Sequence, residues 1–265
     1  MKHVSYILIF ILLQSCDLFD AHPFDGKVTG EIGINSKNIR LIEDNCLGKQ
    51  TIRFAMISDT QRRYDETKDF VNSLNKRNDI DFVIHGGDIS DFGVTNEFML
   101  QRDILNKLKI PYVVLLGNHD CLATGEYVYR EIFGYENFSF IAGNIKFICL
   151  NTNAIECDCS IPIPNLEFID SQLHSKTPNH EKTIFAMHAP PYSEQFNNNV
   201  ADIFQSYIKR FHELQFCIYA HVHYIYATEI FNDGVMYYSS ASIEQRNYLL
   251  FTISPDGHNY EIVYY

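Results

Sequence analysis

One stretch of this chain, residues 111–120 (PYVVLLGNHD), combines an apolar run with a polar loop. A proline opens the run and Gly117 ends it, which is typical of a strand covered on both faces. Three polar residues follow the glycine: Asn118, His119 and Asp120. Four other predicted strands end in the same way, in Asp, His or Gln. This recurrence constrains the fold, because parallel strands bring the residues at their carboxyl ends together at one edge of a sheet.

Predicted strands and helices alternate along the chain from Thr51. The predicted strands are residues 51–58, 81–85, 112–116, 145–150, 183–187 and 216–219, and the predicted helices are residues 65–76, 95–108, 166–173 and 200–211. Thr95 is the predicted N-cap of the second helix. Such an order indicates parallel strands joined by right-handed crossovers. The sequence therefore predicts an α/β fold in one main domain.

The two ends of the chain carry different patterns. Near the C-terminus the predicted strands are residues 224–230, 235–239, 248–253 and 260–264. The turn sequences Asp233-Gly234 and Pro255-Asp256-Gly257 separate them, which predicts an antiparallel meander. Near the N-terminus, residues 27–34 and 38–42 are predicted to form a peripheral hairpin that packs on the core.

The first sixteen residues have the pattern of an export signal. Lys2 and His3 precede an apolar run that is too short to span a bilayer. The following Leu-Gln-Ser-Cys, which ends at Cys16, resembles a bacterial lipobox, in which the cysteine is lipidated. We expect a lipoprotein exported to the bacterial cell envelope and anchored there on a periplasmic or surface face. The alternative is a buried N-terminal helix.

These patterns divide the chain into three predicted segments. Residues 1–16 are a lipoprotein signal peptide, residues 17–45 are a tether with peripheral strands, and residues 46–265 are the main domain.

The formal net charge is −12 and no run of Lys or Arg interrupts it. Because this field repels polyanions, we expect no nucleic-acid partner. Nothing in the composition indicates an oligomeric state.

The polar residues at the strand ends form one candidate donor set: Asp59, Gln61, Asp88, Asn118, His188, His221 and His223. Carboxylate, amide and imidazole donors together suit Mn, Fe or Zn ions. A carboxylate shared by two ions would make a two-metal site, which stabilises both oxygens of an in-line displacement at phosphorus. Each residue alone is weak evidence, since a buried histidine is more often a core residue than a ligand. Five such strand ends in one order favour the metal site.

The order of these residues resembles the calcineurin-like metallophosphoesterases over about residues 51–225. The family blocks D-x-H, GD, GNH(D/E), H and GHxH align with Asp59-Thr60-Gln61, Gly87-Asp88, Gly117-Asn118-His119-Asp120, His188 and Ala220-His221-Val222-His223. The resemblance implies a four-layer αββα sandwich of two mixed sheets. It also implies two divalent ions (Mn, Fe or Zn, with Mg also possible). The implied reaction is hydrolysis of a small phosphate monoester or diester by attack of metal-bound hydroxide.

The resemblance also implies a role for each matched residue. His119 would donate to the phosphate or protonate the leaving oxygen, helped by Asp120, and an imidazole oriented by a carboxylate suits general acid catalysis. The implied ligands are Asp88 bridging both ions, Asp59 and His223 on one ion, and Asn118, His188 and His221 on the other.

Two positions depart from the family blocks. Gln61 replaces the histidine of the first block, so one ion would gain an amide oxygen or only a water, which favours Mn or Mg over Fe. Ala220 replaces the glycine of the last block and leaves both histidines in place.

The candidate substrate contacts are Arg62, Arg246 and Asn151, although surface salt bridges are the alternative for the two arginines.

Two other functions stay open from the sequence. The first is a ligand-binding lipoprotein on the same scaffold, with its catalytic site degraded at Gln61; the presence of His119 and Asp120 argues against it. The second is a metal-dependent hydrolase of a non-phosphate bond, which the donor set alone would allow. The order of the blocks favours the phosphoesterase.

Overall fold

The structure is a computed structural model that describes residues 25–156, 162–175 and 180–265. The predicted signal peptide, the lipidation site Cys16 and the first part of the predicted tether lie outside the described residues. Among the helices of the described residues, none is both long and apolar enough to cross a membrane.

The described residues include all ten strands and helices predicted between residues 51 and 219, together with others that the sequence did not predict. The helices are α1 (Ile34–Cys46), α2 (Tyr64–Leu74), α3 (Thr95–Leu105), α4 (Gly125–Ile132), α5 (Leu166–Leu173) and α6 (Ala201–Ile208). The strands are β1 (Ile52–Ile57), β2 (Phe82–His85), β3 (Tyr112–Val114), β4 (Phe138–Ala142), β5 (Ile145–Leu150), β6 (Lys182–Met187), β7 (Leu214–Tyr219), β8 (Tyr226–Thr228), β9 (Tyr237–Ser239), β10 (Asn247–Ser254) and β11 (Gly257–Tyr264).

The strands build two mixed sheets. The first sheet has the order β11-β10-β1-β2-β3, in which β1, β2 and β3 are parallel and β10 is antiparallel to both of its neighbours. The second has the order β4-β5-β6-β7-β9-β8, in which β5, β6, β7 and β9 are parallel and the two edge strands are antiparallel. Parallel strands buried on both faces explain why these segments are continuous apolar runs.

Four layers result from the way the sheets pack. Aromatic side chains join the two sheets: Phe54 meets Phe147 edge to face at 5.3 Å, and Phe216 stacks on Phe251 at 5.1 Å between ring centroids. The outer face of the first sheet packs against α2, α3 and α4, and that of the second packs against α5 and α6. The predicted α/β fold, an αββα sandwich of two mixed sheets, is confirmed.

The peripheral hairpin predicted near the N-terminus is wrong. Residues 25–33 have no regular structure, and α1 follows them with Ile34, Ile42 and Cys46 buried on one face. The side chain of Asn35 donates to Val114 O at 2.8 Å and accepts from Val114 N at 2.9 Å. The helix therefore covers the edge strand β3 and satisfies its free backbone groups, which otherwise invite pairing with another chain.

The predicted C-terminal meander is also wrong, because its strands belong to two sheets. β8 and β9 form an antiparallel pair at the edge of the second sheet, where β9 lies parallel to β7. β10 and β11 form a hairpin in the first sheet, where β10 pairs with β1. The turn predicted at Pro255-Asp256-Gly257 joins β10 and β11.

Other boundaries differ from the predictions by a few residues. β5 and α5 have the predicted bounds, whereas α3 ends at Leu105 rather than at residue 108. The N-cap of α3 is Val94, not Thr95, whose hydroxyl instead donates to the carbonyl of Asp25. This contact attaches the start of the described chain to the start of α3.

Candidate metal centre

Short contacts join six of the seven predicted donors, all except Gln61, where the two sheets end side by side. Asp59, Asp88 and Asn118 follow β1, β2 and β3 of the first sheet, and His188 and His221 follow β6 and β7 of the second. The loops after β1 and β2 are joined by two backbone hydrogen bonds, from Asp59 N to Gly87 O and from Gln61 N to Asp88 O, each 3.0 Å long.

Asp59, Asp88 and His188 form the most compact group. Each contributes one donor atom to a set in which all atoms lie within 4.8 Å of one another, and all three residues are buried. His188 Nε2 lies 3.4 Å from Asp88 Oδ2. Burial opposes protonation of His188, but the carboxylates of Asp88 and Asp59 outweigh it and raise its pKa to about 9. The group is therefore strongly attractive to positive charge.

Asp59 is buried without hydrogen bonds. Neither of its carboxylate oxygens has a hydrogen-bond partner, and the residue has no exposed surface. His223 Nε2 lies 3.2 Å from Asp59 Oδ1 without hydrogen-bond geometry, and this contact raises the pKa of His223. A buried carboxylate in this state is unfavourable unless a cation binds it. The orphaned oxygens therefore fit a divalent ion.

Three donor atoms converge at a second point beside the first group. Asn118 Oδ1 lies 3.0 Å from His188 Nε2 and 3.0 Å from His221 Nδ1. The other ring nitrogen of His188 is 2.8 Å from the carbonyl of Gly86, which turns Nε2 towards Asn118 and Asp88. An amide oxygen and two imidazole nitrogens at one point again fit a borderline divalent ion such as Mn, Fe or Zn.

The backbone is strained at most of these positions. Left-handed φ angles occur at Asp59 (51°), Gln61 (41°), Asp88 (56°), His221 (69°) and His223 (61°). Such angles are uncommon outside glycine, and they concentrate at functional sites. Gln61 lies on the same strained loop as Asp59; its place as a ligand stays a prediction.

Gly117 allows the loops after β2 and β3 to approach each other. A Cβ atom at this position would lie 2.1 Å from both the backbone nitrogen and Oδ1 of Asp88. Only glycine fits here without moving Asp88, which explains the glycine before Asn118 in physical terms.

Asp120 has a different role from the one expected, which was to assist His119. Its buried carboxylate accepts hydrogen bonds from Gly117 N (2.9 Å), Ile89 N (3.2 Å), Ser90 N (2.8 Å) and Ser90 Oγ (2.9 Å). Burial, followed by the charge of Asp88, raises the pKa of Asp120 to about 7. Asp120 therefore ties the loop after β2 to the loop after β3, and its oxygens do not orient the imidazole.

Asp91 orients His119 instead. His119 Nδ1 lies 2.8 Å from the carbonyl oxygen of Asp91 and 3.6 Å from its Oδ1. The backbone nitrogen of His119 donates to Asp88 Oδ1 at 2.9 Å, and its side chain is 37% exposed. Sequence reasoning gave Asp91 no role; its only signal is a position three residues after Asp88.

The candidate substrate contacts lie in separate environments. Arg62 is beside His119, since its Nε is 2.9 Å from Asp91 Oδ2 and its guanidinium lies 5.0 Å from the ring centre of Phe92. Arg246 forms ion pairs with Glu66 and Asp69 of α2. Asn151 is buried and donates to Glu136 Oε2 at 2.9 Å. Substrate contacts by these three residues stay predictions.

His85 supports the loops from inside the first sheet. Its Nε2 lies 2.9 Å from the hydroxyl of Thr60, and its Nδ1 accepts a hydrogen bond from Gly87 N at 3.2 Å. Complete burial lowers the pKa of His85 to about 4, so the ring is neutral. It joins the loops that carry Asp59 and Asp88.

A fold of two sheets with donors of this kind at their shared edge defines a class of metal-dependent phosphoesterases. Residues 52–224 match the calcineurin-like phosphoesterase family, and the chain belongs to this family. The resemblance seen in the sequence is thereby confirmed.

Two curated relatives carry related names. A 3',5'-cyclic-nucleotide phosphodiesterase from Nostoc sp. is 28% identical over 155 residues, which cover 56% of this chain and 57% of that protein. A probable cyclic nucleotide phosphodiesterase from Fibrobacter succinogenes is 25% identical over 95 residues, which cover 32% of this chain and 37% of that protein. The chain thus matches only part of the length of either relative.

Solved structures share the fold. A dimetal phosphatase from Danio rerio has a TM-score of 0.60 at 11% identity, covering 81% of this chain and 99% of that one. A purple acid phosphatase from yellow lupin seeds has a TM-score of 0.57 at 15% identity, covering 78% of this chain and 50% of that one. At these identities the likeness concerns the fold.

Proposed function

We propose that this protein is a dinuclear metal-dependent phosphoesterase. The observation that carries the proposal is the buried carboxylate of Asp59, which has no hydrogen-bond partner and shares a group of donors with Asp88 and His188. Only the imidazoles of His188 and His223, which are predicted ligands themselves, offset the desolvation of this carboxylate, so a bound cation explains its burial.

The donors divide into two sets that share Asp88. Asp59 and His223 would hold one ion, with Gln61 as a further candidate, and Asn118, His188 and His221 would hold the other. Two divalent ions held by these residues would supply Lewis acidity to the phosphoryl oxygens and would acidify a bound water.

His119 is the candidate proton donor. Its Nδ1 is engaged by the carbonyl of Asp91, which leaves Nε2 to face a substrate. Because a carbonyl only accepts hydrogen bonds, this contact requires a proton on Nδ1, and a second proton on Nε2 makes the ring a general acid. Its partial exposure lets a leaving oxygen reach it.

A phosphate diester is the substrate class that we propose to test first. Both curated relatives are named as cyclic nucleotide phosphodiesterases, which supports a 3',5'-cyclic nucleotide as a candidate. A monoester is the alternative.

The proposal includes a place in the bacterial cell envelope through a lipid on Cys16, and this part is supported by residues 1–16 of the sequence alone.

The test combines metal analysis with hydrolysis. The full chain, purified without chelator, is analysed for bound metal and assayed with Mn²⁺ against bis-p-nitrophenyl phosphate, p-nitrophenyl phosphate and 3',5'-cyclic AMP. We expect two ions per chain in the wild-type protein, loss of metal in Asp88→Ala, and retained metal in His119→Ala with turnover lowered by about 10²–10⁴-fold.

Three outcomes would count against the proposal. Absence of bound metal, with none taken up from added Mn²⁺, would reject the metal site. Full metal loading without turnover of any ester would favour a ligand-binding protein. Turnover of carboxylic esters or amides in place of phosphate esters would indicate a hydrolase of another bond.

A further inference from the structure

Glu194 contacts a predicted metal ligand from a neighbouring loop. It lies between β6 and the short helical turn Asn198–Val200, and its Oε1 is 2.8 Å from His221 Nε2. The side chain of Glu194 is 72% exposed, whereas that of His221 is 12% exposed. The contact therefore joins an exposed carboxylate to the outer side of a mostly buried imidazole.

This contact determines which nitrogen of His221 can bind an ion. A carboxylate only accepts hydrogen bonds, so Nε2 carries a proton and donates to Glu194. Nδ1 faces the other predicted ligands, 3.0 Å from Asn118 Oδ1, so it is the nitrogen whose lone pair an ion bound at this point would use. Histidine ligands of metals generally donate their second ring nitrogen to such a partner, which fixes the tautomer and the ring orientation.

The backbone around Glu194 is held on both sides. The carbonyl of Ser193 accepts a hydrogen bond from Asn198 Nδ2 at 2.8 Å, and the carbonyl of Gln195 accepts one from Ala154 N at 2.7 Å. The carboxylate thus extends from a fixed position despite its exposure. The other histidine at this point, His188, uses the backbone carbonyl of Gly86 for the same purpose. His221 is the one whose orientation depends on a replaceable side chain.

We propose that Glu194 is a positioning residue that sets the tautomer of His221 and holds its Nδ1 towards a divalent cation. The inference rests on the proposed metal site and adds to it a residue outside the five family blocks. Glu194 is not a ligand itself; it acts through His221.

The test measures metal affinity without substrate. The full chain is stripped of metal and titrated with MnCl₂ by calorimetry, as wild type, Glu194→Ala, Glu194→Gln and Glu213→Ala. Glu213 is the matched control, because it is an exposed glutamate directly before β7, at the opposite end of the strand that leads to His221.

We expect Glu194→Ala to weaken one of two Mn²⁺ sites by about 10–100-fold and to leave the other unchanged. Glu194→Gln should lose less Mn²⁺ affinity than Glu194→Ala, because its amide oxygen still accepts a hydrogen bond from His221 Nε2. Glu213→Ala should bind as the wild type does. Urea unfolding in chelator should be the same for Glu194→Ala and the wild type, which separates positioning from a general loss of structure.

Two results would overturn the assignment. The first is wild-type Mn²⁺ affinity at both sites in Glu194→Ala, or an equal loss in Glu213→Ala. The second is a wild-type protein that takes up no Mn²⁺, since His221 would then bind no ion. Mn²⁺ binding without ester hydrolysis would reject the proposed function, whereas the ratio of wild-type to Glu194→Ala affinities would still decide the role of Glu194.

Discussion

Asp59 shows how a single residue can be unfavourable for folding and suited to binding. In the described structure its two oxygens have no hydrogen bond, and it shares a buried group with a second carboxylate, Asp88. Like charges at close range repel, and His188 is the only buried cation candidate in that group. The excess of negative charge favours a divalent ion over no ion.

Asp59→Asn should therefore stabilise the metal-free protein while weakening metal binding. The substitution removes a buried charge that accepts no hydrogen bond, and it leaves His188 and Asp88 as a balanced pair. It gives up only the contact with the half-exposed His223, and asparagine tolerates the left-handed backbone at this position. We expect the free energy of unfolding in chelator to rise by about 1–3 kcal/mol. Urea titration at pH 8 measures it.

Asp88→Asn is the matched control for that variant. Asp88 already accepts a hydrogen bond from His119 N and lies beside His188, so its neutralisation removes a partner from a buried histidine. No stabilisation is expected from it. A loss of stability in Asp59→Asn equal to that in Asp88→Asn would contradict the view that the carboxylate of Asp59, which accepts no hydrogen bond, is the less favourable of the two to bury.

At the scale of the elements, the close approach of two loops sets the position of Asp88. The loop after β3 reaches Asp88 through Gly117, and the carboxylate of Asp120 then holds both loops through four hydrogen bonds. The site thus depends on small loop segments that follow rigid strands.

Gly117→Ala should displace Asp88, because the new methyl group would overlap its backbone nitrogen and Oδ1. We expect loss of stability by about 1–3 kcal/mol and at least a tenfold loss of Mn²⁺ affinity, measured by urea titration and calorimetry. Gly26→Ala is the control, since its methyl group would meet only the side chain of Tyr127. Unchanged Mn²⁺ affinity in Gly117→Ala would show that the approach does not position the site.

Sequence patterns predicted the strand ends well, because a buried strand followed by a glycine or a polar loop is a local signal. They did not predict α1. Its buried positions Ile34, Ile42 and Cys46 are sparse, and the asparagines between them are poor helix formers. The helix is stabilised by tertiary contacts, above all those of Asn35 with the edge strand β3. Contacts of this kind leave no periodic pattern in the sequence.

At the scale of the whole molecule, the pairing of distant strands was beyond the sequence. β10 pairs with β1 from the other end of the described chain, and β9 lies parallel to β7 in the second sheet. Nothing in the turn sequences specifies these partners. The same long-range pairing brings the ends of both sheets together. The candidate ligands could still be predicted as a set, because they follow closely after the strands. Asp91 and Glu194 lie further along their loops, and only the contacts of the folded chain show their roles.

Each proposed ion would connect the two sheets. Asp59 follows a strand of the first sheet, and His223 lies in the loop after β7 of the second. Likewise, Asn118 follows a strand of the first sheet, and His188 and His221 follow strands of the second. A ligand that binds only the folded state raises its stability in proportion to its affinity and concentration. Because unfolding separates the sheets, metal binding should stabilise the whole molecule.

We therefore expect Mn²⁺ to raise the free energy of unfolding by about 2.7 kcal/mol for each ion at a concentration one hundred times its dissociation constant. Urea titrations with Mn²⁺ and with chelator measure the increment. His223→Ala should lower it, because one ion loses its only histidine, whereas His174→Ala, at the exposed end of α5, should not. An unfolding midpoint that is the same with Mn²⁺ and with chelator would mean that the donors of the two sheets hold no ion in common.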